Sequence, residues 1–306
     1  MSDQAVVTAK GARRWASGHP WIFRSDVHRP PRGAAGAVGV SDVRGAFLGW
    51  ALWSPTSEIS LRLLDADANA RIDAEWWHRR IAAAVTRRAS LAVTTNACRF
   101  VHAEGDGLPS LVVDRYDRWL VIQLLSAGLE HFRDAIVSAL VEVLRPAGIL
   151  ARHDVAVRER EGLTRTVETL YEQVPRTIEI VESGVRYLAA PHDGQKTGAF
   201  LDQRENRLLA GSVARGRALD CFSYHGSFAL HLGRRAERVT AVDSSESALA
   251  RAAENAALNA LTNVSWHHAD VFDFLRAEEQ ANSRYDTIVL DPPAFAKSRA
   301  SLQSAL

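Results

Sequence analysis

The sequence predicts an α/β protein: a small β-rich module, a middle α+β domain and, in the last third, a doubly wound sheet of parallel strands. Three observations carry that expectation. Over residues 218–243 an apolar run, a tight turn, a helix-forming segment and a second apolar run follow one another, the order of a βαβ unit. Near the N-terminus, short runs rich in Val, Leu and Trp alternate with Gly, Pro, Ser and Asp clusters, the pattern of a small β module. Between the two, helical periodicity is interleaved with extended segments. A chain of 306 residues exceeds a usual single domain, and the expected divisions are 1–70, 71–191 and 192–306.

In the first division the strand-like runs are 6–9, 37–42, 46–52 and 59–64. A short amphipathic segment holds Arg13, Arg14 and Trp15, and Gly18-His19-Pro20-Trp21-Ile22-Phe23 follows it. Trp21 and Phe23 are read as core residues of this barrel-like module. Residues 1–35 carry Lys10, Arg13, Arg14, Arg24, Arg29 and Arg32 against Asp3 and Asp26, six cations less two anions, a local excess of +4. Such a face suits phosphates, with a solvated basic surface as the plainer account. Over the whole chain the net charge is +1, which excludes a general polycation.

Residues 71–92 have helical spacing, with Trp76, Trp77, Ile81 and Val85 on or near one face. A strand from Arg99 runs into Glu104-Gly105-Asp106-Gly107-Leu108-Pro109, whose glycines point to a turn rather than a metal loop. Strands at 110–113 and 119–124, a helix at 130–144 stopped by Pro146 and Gly148, a strand at 149–157 and a hairpin through Ser183-Gly184 complete the middle domain.

Residues 192–207 lead into the last division. Lys196 and Phe200 there are candidates to fold over the methionine end of a cofactor, and a charged linker helix is the alternative. The βαβ unit has a strand at 217–221 ending in Asp220-Cys221, a turn through Phe222, Ser223, Tyr224, His225 and Gly226, and a second strand closed by Asp243. A doubly wound sheet binds its ligand beyond the carboxyl ends of its strands. Dinucleotide binding needs several glycines at this turn, so that the backbone can approach a pyrophosphate. Only Gly226 is present, crowded by aromatic side chains. A cofactor with a nucleoside but no pyrophosphate fits better, S-adenosylmethionine (SAM) rather than NAD. Asp243, with Ser244 beside it, suits ribose hydroxyls, although Asp243 with Glu246 also reads as a helix cap. A helix at 246–258 and a third strand at 264–268 lead to Asp270, placed for an adenine amine or as the cap of the next helix.

A fourth strand, 285–290, runs into Asp291-Pro292-Pro293-Ala294-Phe295. Two prolines cannot continue a ladder and fix a rigid loop. In a sheet ordered 3-2-1-4 that loop lies beside the first turn. There Asp291, also a cofactor candidate, and Pro292 would position a flat base on which Phe295 stacks. No apolar run approaches the roughly 20 residues of a membrane span. The N-terminus lacks a signal-peptide core. Cys98 and Cys221 offer neither a disulfide framework nor metal-ligand spacing. A cytoplasmic protein without a metal is expected.

GHPWIF, EGDGLPSLVVDRY, GQKTGAFLDQRENR, LDCFSYHGSFAL and DPPAFAKS occur in this order. Together they resemble the large-subunit ribosomal RNA methyltransferases that make 5-methylcytosine in 23S rRNA, from about residue 5 to the end of the chain. The resemblance implies a PUA-like RNA-binding domain, a middle α+β domain and a Rossmann-like SAM-binding domain acting on 23S rRNA. It implies that Asp220, Phe222, Ser223, Gly226, Asp243 and Asp270 line the SAM site and that Asp291-Pro292-Pro293 faces the target base. His225-Gly226-Ser227 departs from the family's common Thr-Gly-Gly.

Carbon 5 of cytosine is too weak a nucleophile to take a methyl group directly, and the family adds a cysteine thiolate at carbon 6. The resemblance places that cysteine past Leu306. The expectation is therefore a C-terminally shortened chain with an incomplete sheet of strands 1–4, whose last strand is an apolar edge open to homodimer formation. Methylation of an amine on another RNA base, or RNA binding without catalysis, are the competing readings.

Overall fold

The computed structural model describes residues 4–194 and 196–293. The chain divides into two compact units, one of residues 1–178 with 189–199, the other of 179–188 with 200–306. Among the described residues no helix is long and apolar enough to cross a membrane.

The first unit opens with β1 (Gln4–Val7) and α1 (Ala9–Ala16), capped by Thr8, whose side chain accepts the Gly11 N–H. β2 (Trp21–Ile22), β3 (Val27–Arg29), β4 (Gly36–Asp42), β5 (Phe47–Trp53) and β6 (Leu61–Asp65) follow. The expected barrel-like module is a six-stranded mixed sheet ordered β2-β6-β5-β4-β1-β3. Trp15, Ile22, Val38, Val40, Ala51 and Leu61 are among its core residues. Trp21 and Phe23 are not, which corrects their reading as core. Alternate residues of an extended chain face opposite sides, so Ile22 is fully buried while both aromatic neighbours stay half-exposed.

Next comes α2 (Ala74–Thr86), capped by Asp73, which accepts the Trp76 N–H. It buries Trp76, Trp77, Ile81 and Ala84. β7 (Ala97–His102), β8 (Leu111–Tyr116), β9 (Trp119–Leu124), α3 (Ala127–Glu130), α4 (Arg133–Leu144), β10 (Gly148–Arg152), α5 (Val157–Arg160) and β11 (Val167–Tyr171) complete this layer. Its five-stranded sheet is ordered β11-β10-β9-β8-β7. The strand expected over 149–157 stops at Arg152, whose guanidinium turns back onto the Asp154 carboxylate at 2.9 Å across a bend. The edge strand β11 is an addition to the expected elements. A buried ion pair ties the two layers: Arg62 Nη2 lies 2.7 Å from Glu161 Oε1, and Ser57 Oγ donates to the same oxygen.

In the second unit, β12 (Ile178–Glu182) and β13 (Val185–Ala189) form the expected hairpin. Its residues 179–188 belong with the cofactor fold rather than with the middle domain, where they were expected. The reason is an ion pair. Glu182 meets Arg207 of α6 (Arg204–Val213) through two bonds of 2.7 and 2.6 Å, both side chains being 1% exposed. Tyr187 also donates its hydroxyl to Glu182.

β14 (Arg217–Cys221), α7 (Ser227–Gly233), β15 (Arg238–Asp243), α8 (Glu246–Leu258), β16 (Val264–His268), α9 (Val271–Gln280) and β17 (Thr287–Leu290) follow. The four strands are parallel and ordered β16-β15-β14-β17, the 3-2-1-4 order expected. Among the described residues β17 pairs with β14, and Ile288 and Leu290 are 59% and 60% exposed.

Candidate cofactor site

The turn after β14 is built from an uncommon backbone. Phe222, Tyr224 and Gly226 have φ of +61°, +49° and +82°. Left-handed residues other than glycine cost roughly 1–3 kcal/mol each and collect at functional sites. Glycine is required at 226, since a Cβ there would stand 2.7 Å from the Trp266 ring and 3.0 Å from the Ala252 Cβ. Hydrogen bonds hold the strained path. Asp243 accepts the Tyr224 N–H through Oδ2 and the Ser245 N–H through Oδ1, each at 2.8 Å. Asp220 Oδ2 accepts the Ala229 N–H at 2.9 Å in the first turn of α7. Asn255 of α8 donates to the His225 carbonyl at 3.0 Å.

Carboxylates gather at this end of the sheet. Asp220 is 1% exposed. Burial pushes its carboxyl up to about 8, opposed by the Ala229 N–H and reinforced by the negative charges of Asp291 and Asp243. The floor is therefore a largely neutral acid at pH 7, with Asp243 and Asp291 above it. Beside it, Ser223 Oγ is buried with no hydrogen-bond partner among the described residues, and so are both ring nitrogens of His225. The His225 ring stacks on Tyr187 at 5.5 Å. Burial, with Arg207 adding to it, lowers this imidazole to about 4, so it is neutral at physiological pH. An orphaned hydroxyl on the floor and a carboxylate with lone pairs to spare on the rim suit a ligand rich in hydroxyl and amine groups.

The second unit brings together most of the expected residues. Asp220, Phe222, Ser223, Tyr224, Gly226, Asp243 and Ser244 lie on the two strand ends and their turns. Phe200 meets Tyr224 edge-on at 5.7 Å. Asp291 and Pro292 follow β17 and are exposed, whereas Phe295 lies outside the described residues. Lys196 is exposed in the first unit, so it is not part of the group that the second unit assembles. One capping reading changes and one holds. The cap of α8 is Ser245, which accepts the Ala248 N–H, not Asp243. Asp270 does cap α9, its Oδ1 accepting the Phe272 and Asp273 N–H groups at 2.9 and 3.1 Å. The hairpin anchor Glu182–Arg207 and the Tyr187–His225 stack had no local sequence signal.

The first unit carries a basic and aromatic face. The rings of His19 and Trp21 are 5.9 Å apart, those of His19 and Phe23 6.4 Å, and the Arg14 guanidinium lies 4.7 Å from the Phe23 ring. Asp26 pairs with Lys10 and Arg14, leaving Arg13, Arg24 and Arg29 exposed nearby in sequence. The Glu104–Asp106 loop is structural. Glu104 accepts the Trp21 indole N–H, and Asp106 accepts from Arg87, Arg88 and the His102 N–H.

Comparison with known proteins agrees with this arrangement. The profile of a PUA-like domain matches residues 5–66, and that of an S-adenosylmethionine-dependent methyltransferase matches residues 98–305. Relatives named ribosomal RNA large subunit methyltransferase I occur in Tolumonas auensis, 40% identical over 94% of this chain and 75% of the relative. Another, in Klebsiella pneumoniae, is 38% identical over 98% of this chain and 78% of the relative. Two solved structures share the fold. One, a Streptococcus mutans protein assigned as a SAM-dependent methyltransferase, has a TM-score of 0.81 and 23% identity, covering 99% of this chain and 81% of its own. The other, also assigned as a methyltransferase and complexed with SAH, has a TM-score of 0.83 and 24% identity, covering 97% and 78%. With one profile spanning two thirds of its length and curated relatives near 40% identity over almost all of it, the chain belongs to the S-adenosylmethionine-dependent methyltransferase family, alongside the ribosomal RNA large subunit methyltransferases I.

Proposed function

We propose that this SAM-dependent methyltransferase acts on carbon 5 of a cytosine in 23S rRNA. The observation that supports this best is the register of β14 and β17. Cys221 is paired with Leu290, so Phe222 and Asp291, the next residues, leave the sheet side by side. The cofactor turn and the rigid Asp291-Pro292-Pro293 loop thus share one end of the sheet. The names of the relatives support ribosomal RNA as the substrate, and the aromatic, arginine-flanked face of the first unit supports RNA contact.

SAM fits the turn and, when bound, supplies a methyl group on a positively charged sulfonium. Asp243 keeps lone pairs for ribose hydroxyls while it pins Tyr224, and Ser223 Oγ gains a partner. Asp270 turns its second oxygen to an adenine amine. Asp291 and Pro292 orient the target base. Neither cysteine suits the nucleophile. Cys98 and Cys221 are buried, and burial together with Asp220 raises the Cys221 thiol to about 11, against thiolate formation. On this reading neither Cys98 nor Cys221 supplies the thiolate. The same reading places the enzyme in the cytoplasm, and the exposed β17 edge supports association of two copies.

The test is transfer of labelled methyl from SAM to unmodified 23S rRNA fragments, comparing this chain with one extended past Leu306. Label recovered as 5-methylcytidine from the extended chain is expected. Label on an exocyclic amine, surviving loss of every downstream cysteine, would favour amine methylation instead. RNA binding with no SAM affinity would make the chain a binding protein alone.

A further inference from the structure

Most arginines of the first unit's interior and rim are matched with carboxylates: Arg62 with Glu161, Arg80 with Asp65, Arg99 with Asp114, Arg152 with Asp154 and Arg158 with Glu130. One cleft breaks that rule. A cavity of about 240 Å³ between the β8–β9 turn and the end of α4 is lined by Arg115, Arg118 and Arg145, with Asp117 the lone carboxylate. Three cations less one anion leave +2 in a space of nucleotide size. Arg115 is held in place, its Nε donating to the Asp117 carbonyl at 2.7 Å and its guanidinium lying 5.5 Å from the Phe100 ring. Arg118 lies over Trp119 at 5.8 Å. Among the described residues none of the three forms an ion pair within 4 Å.

The backbone on both walls is strained. Asp117 and Arg145 have φ of +55° and +45°. Arg145 is the C-terminal cap of α4, a position where glycine is the usual solution. A long cation in its place costs backbone energy and adds repulsion to Arg115 and Arg118. Strain of this kind collects at functional sites, and like charges gathered in one cleft suit an anionic ligand. The floor is apolar, made by Phe100, Leu144 and Pro146.

We propose that the Arg115–Arg118–Arg145 cleft binds a phosphodiester of RNA, with the flanking base against its apolar floor. The assignment rests on the reading of the substrate as RNA and adds a contact remote in sequence from both the aromatic face and the cofactor turn. Guanidiniums present forked donors to phosphate oxygens, and an apolar floor favours a nucleotide over a free ion.

The test measures binding of the 306-residue chain to a single-stranded 23S rRNA fragment across a salt series, beside R118Q/R145G and D117N. Glycine at 145 relieves the left-handed backbone, so the denaturation midpoint of R118Q/R145G should hold or rise while RNA affinity falls about tenfold at moderate salt. The slope of log affinity against log salt should shrink by ~1.4, two phosphate contacts on a single strand. D117N should bind RNA more tightly. SAM affinity should not change in either variant. Equal RNA affinity and slope for wild type and R118Q/R145G would overturn the cleft while leaving the RNA reading intact. A wild-type chain that binds no RNA would remove both. If the variant loses competition by free nucleoside monophosphate but keeps full RNA affinity, the cleft serves a small nucleotide and the RNA assignment is wrong.

Discussion

Replacing Gly226 by alanine perturbs the cofactor turn at its tightest point. The residue sits at φ +82°, where an L side chain costs about 1–2 kcal/mol. The added methyl would stand 2.7 Å from the tip of the Trp266 indole and 3.0 Å from the Ala252 Cβ. Overpacking of this kind costs about 1–3 kcal/mol, and the half-exposed Trp266 can yield, so the lower part of that range applies. Together the fold should lose about 2–4 kcal/mol, measured as a drop in urea midpoint at constant slope. Because the same turn carries Ser223 and Tyr224, SAM affinity by calorimetry should fall at least tenfold. Adding Trp266→Leu removes the indole part of the clash and leaves the Ala252 contact and the backbone part. The double variant should therefore recover about 1 kcal/mol relative to the sum of the singles. A Gly226→Ala protein with wild-type midpoint and wild-type SAM affinity would show that the turn is not confined as described.

Asp243→Ala should weaken SAM binding more than tenfold, since a charge-assisted contact is worth roughly 1.5–3 kcal/mol; a change within about threefold would remove the ribose assignment. Glu182→Gln strands a buried guanidinium and should cost about 3–5 kcal/mol in denaturation experiments. In the wild type, burial alone would raise Glu182, but His231 and Arg207 more than offset it and hold the carboxyl down to about 2. The folded value lies below the unfolded one, so this stabilisation of about 3 kcal/mol is present above pH ~4.5 and is lost as pH falls toward 2; a variant with the same acid limb as wild type would contradict it. Asp220 has the opposite sign. Its raised value makes stability decline as pH climbs from about 4 to about 8, and Asp220→Asn should flatten that decline in a pH series of urea midpoints. Cys221→Ala should leave methyl transfer by the extended chain intact, and loss of 5-methylcytidine would restore Cys221 as the nucleophile.

The parallel sheet and its order were legible because each strand is a local apolar run bounded by its own turn. Asp220, Asp243 and Asp291 close three such runs, which is why their convergence could be read from spacing. What escaped depends on contacts distant in sequence. Glu161 sits in an Arg-Glu-Arg-Glu run that reads as solvated surface, yet it pairs with Arg62, 99 residues away. Glu182 looks like an ordinary polar residue beside a hairpin turn until Arg207 meets it. Trp21 and Phe23 misled for another reason, since a two-residue strand is too short for alternation to show which side is inside. Asp270 shows a third limit, because a cap and a ligand acceptor need the same carboxylate at the same place.

The interleaving of the two units bears on synthesis and on cleavage. The backbone passes from one unit to the other near residues 178, 188 and 199. As the chain emerges from the ribosome, the first unit cannot close until segment 189–199 arrives, where the Thr197 hydroxyl reaches Asp114 at 2.6 Å and lies 3.0 Å from the Tyr116 hydroxyl. The early hairpin, in turn, waits for Arg207. A protease nick at any single passage leaves two covalent links, so the halves travel together without a disulfide. A fragment cut at residue 192 would carry Arg207 into the second unit's interior without Glu182, and should fold poorly for that reason alone.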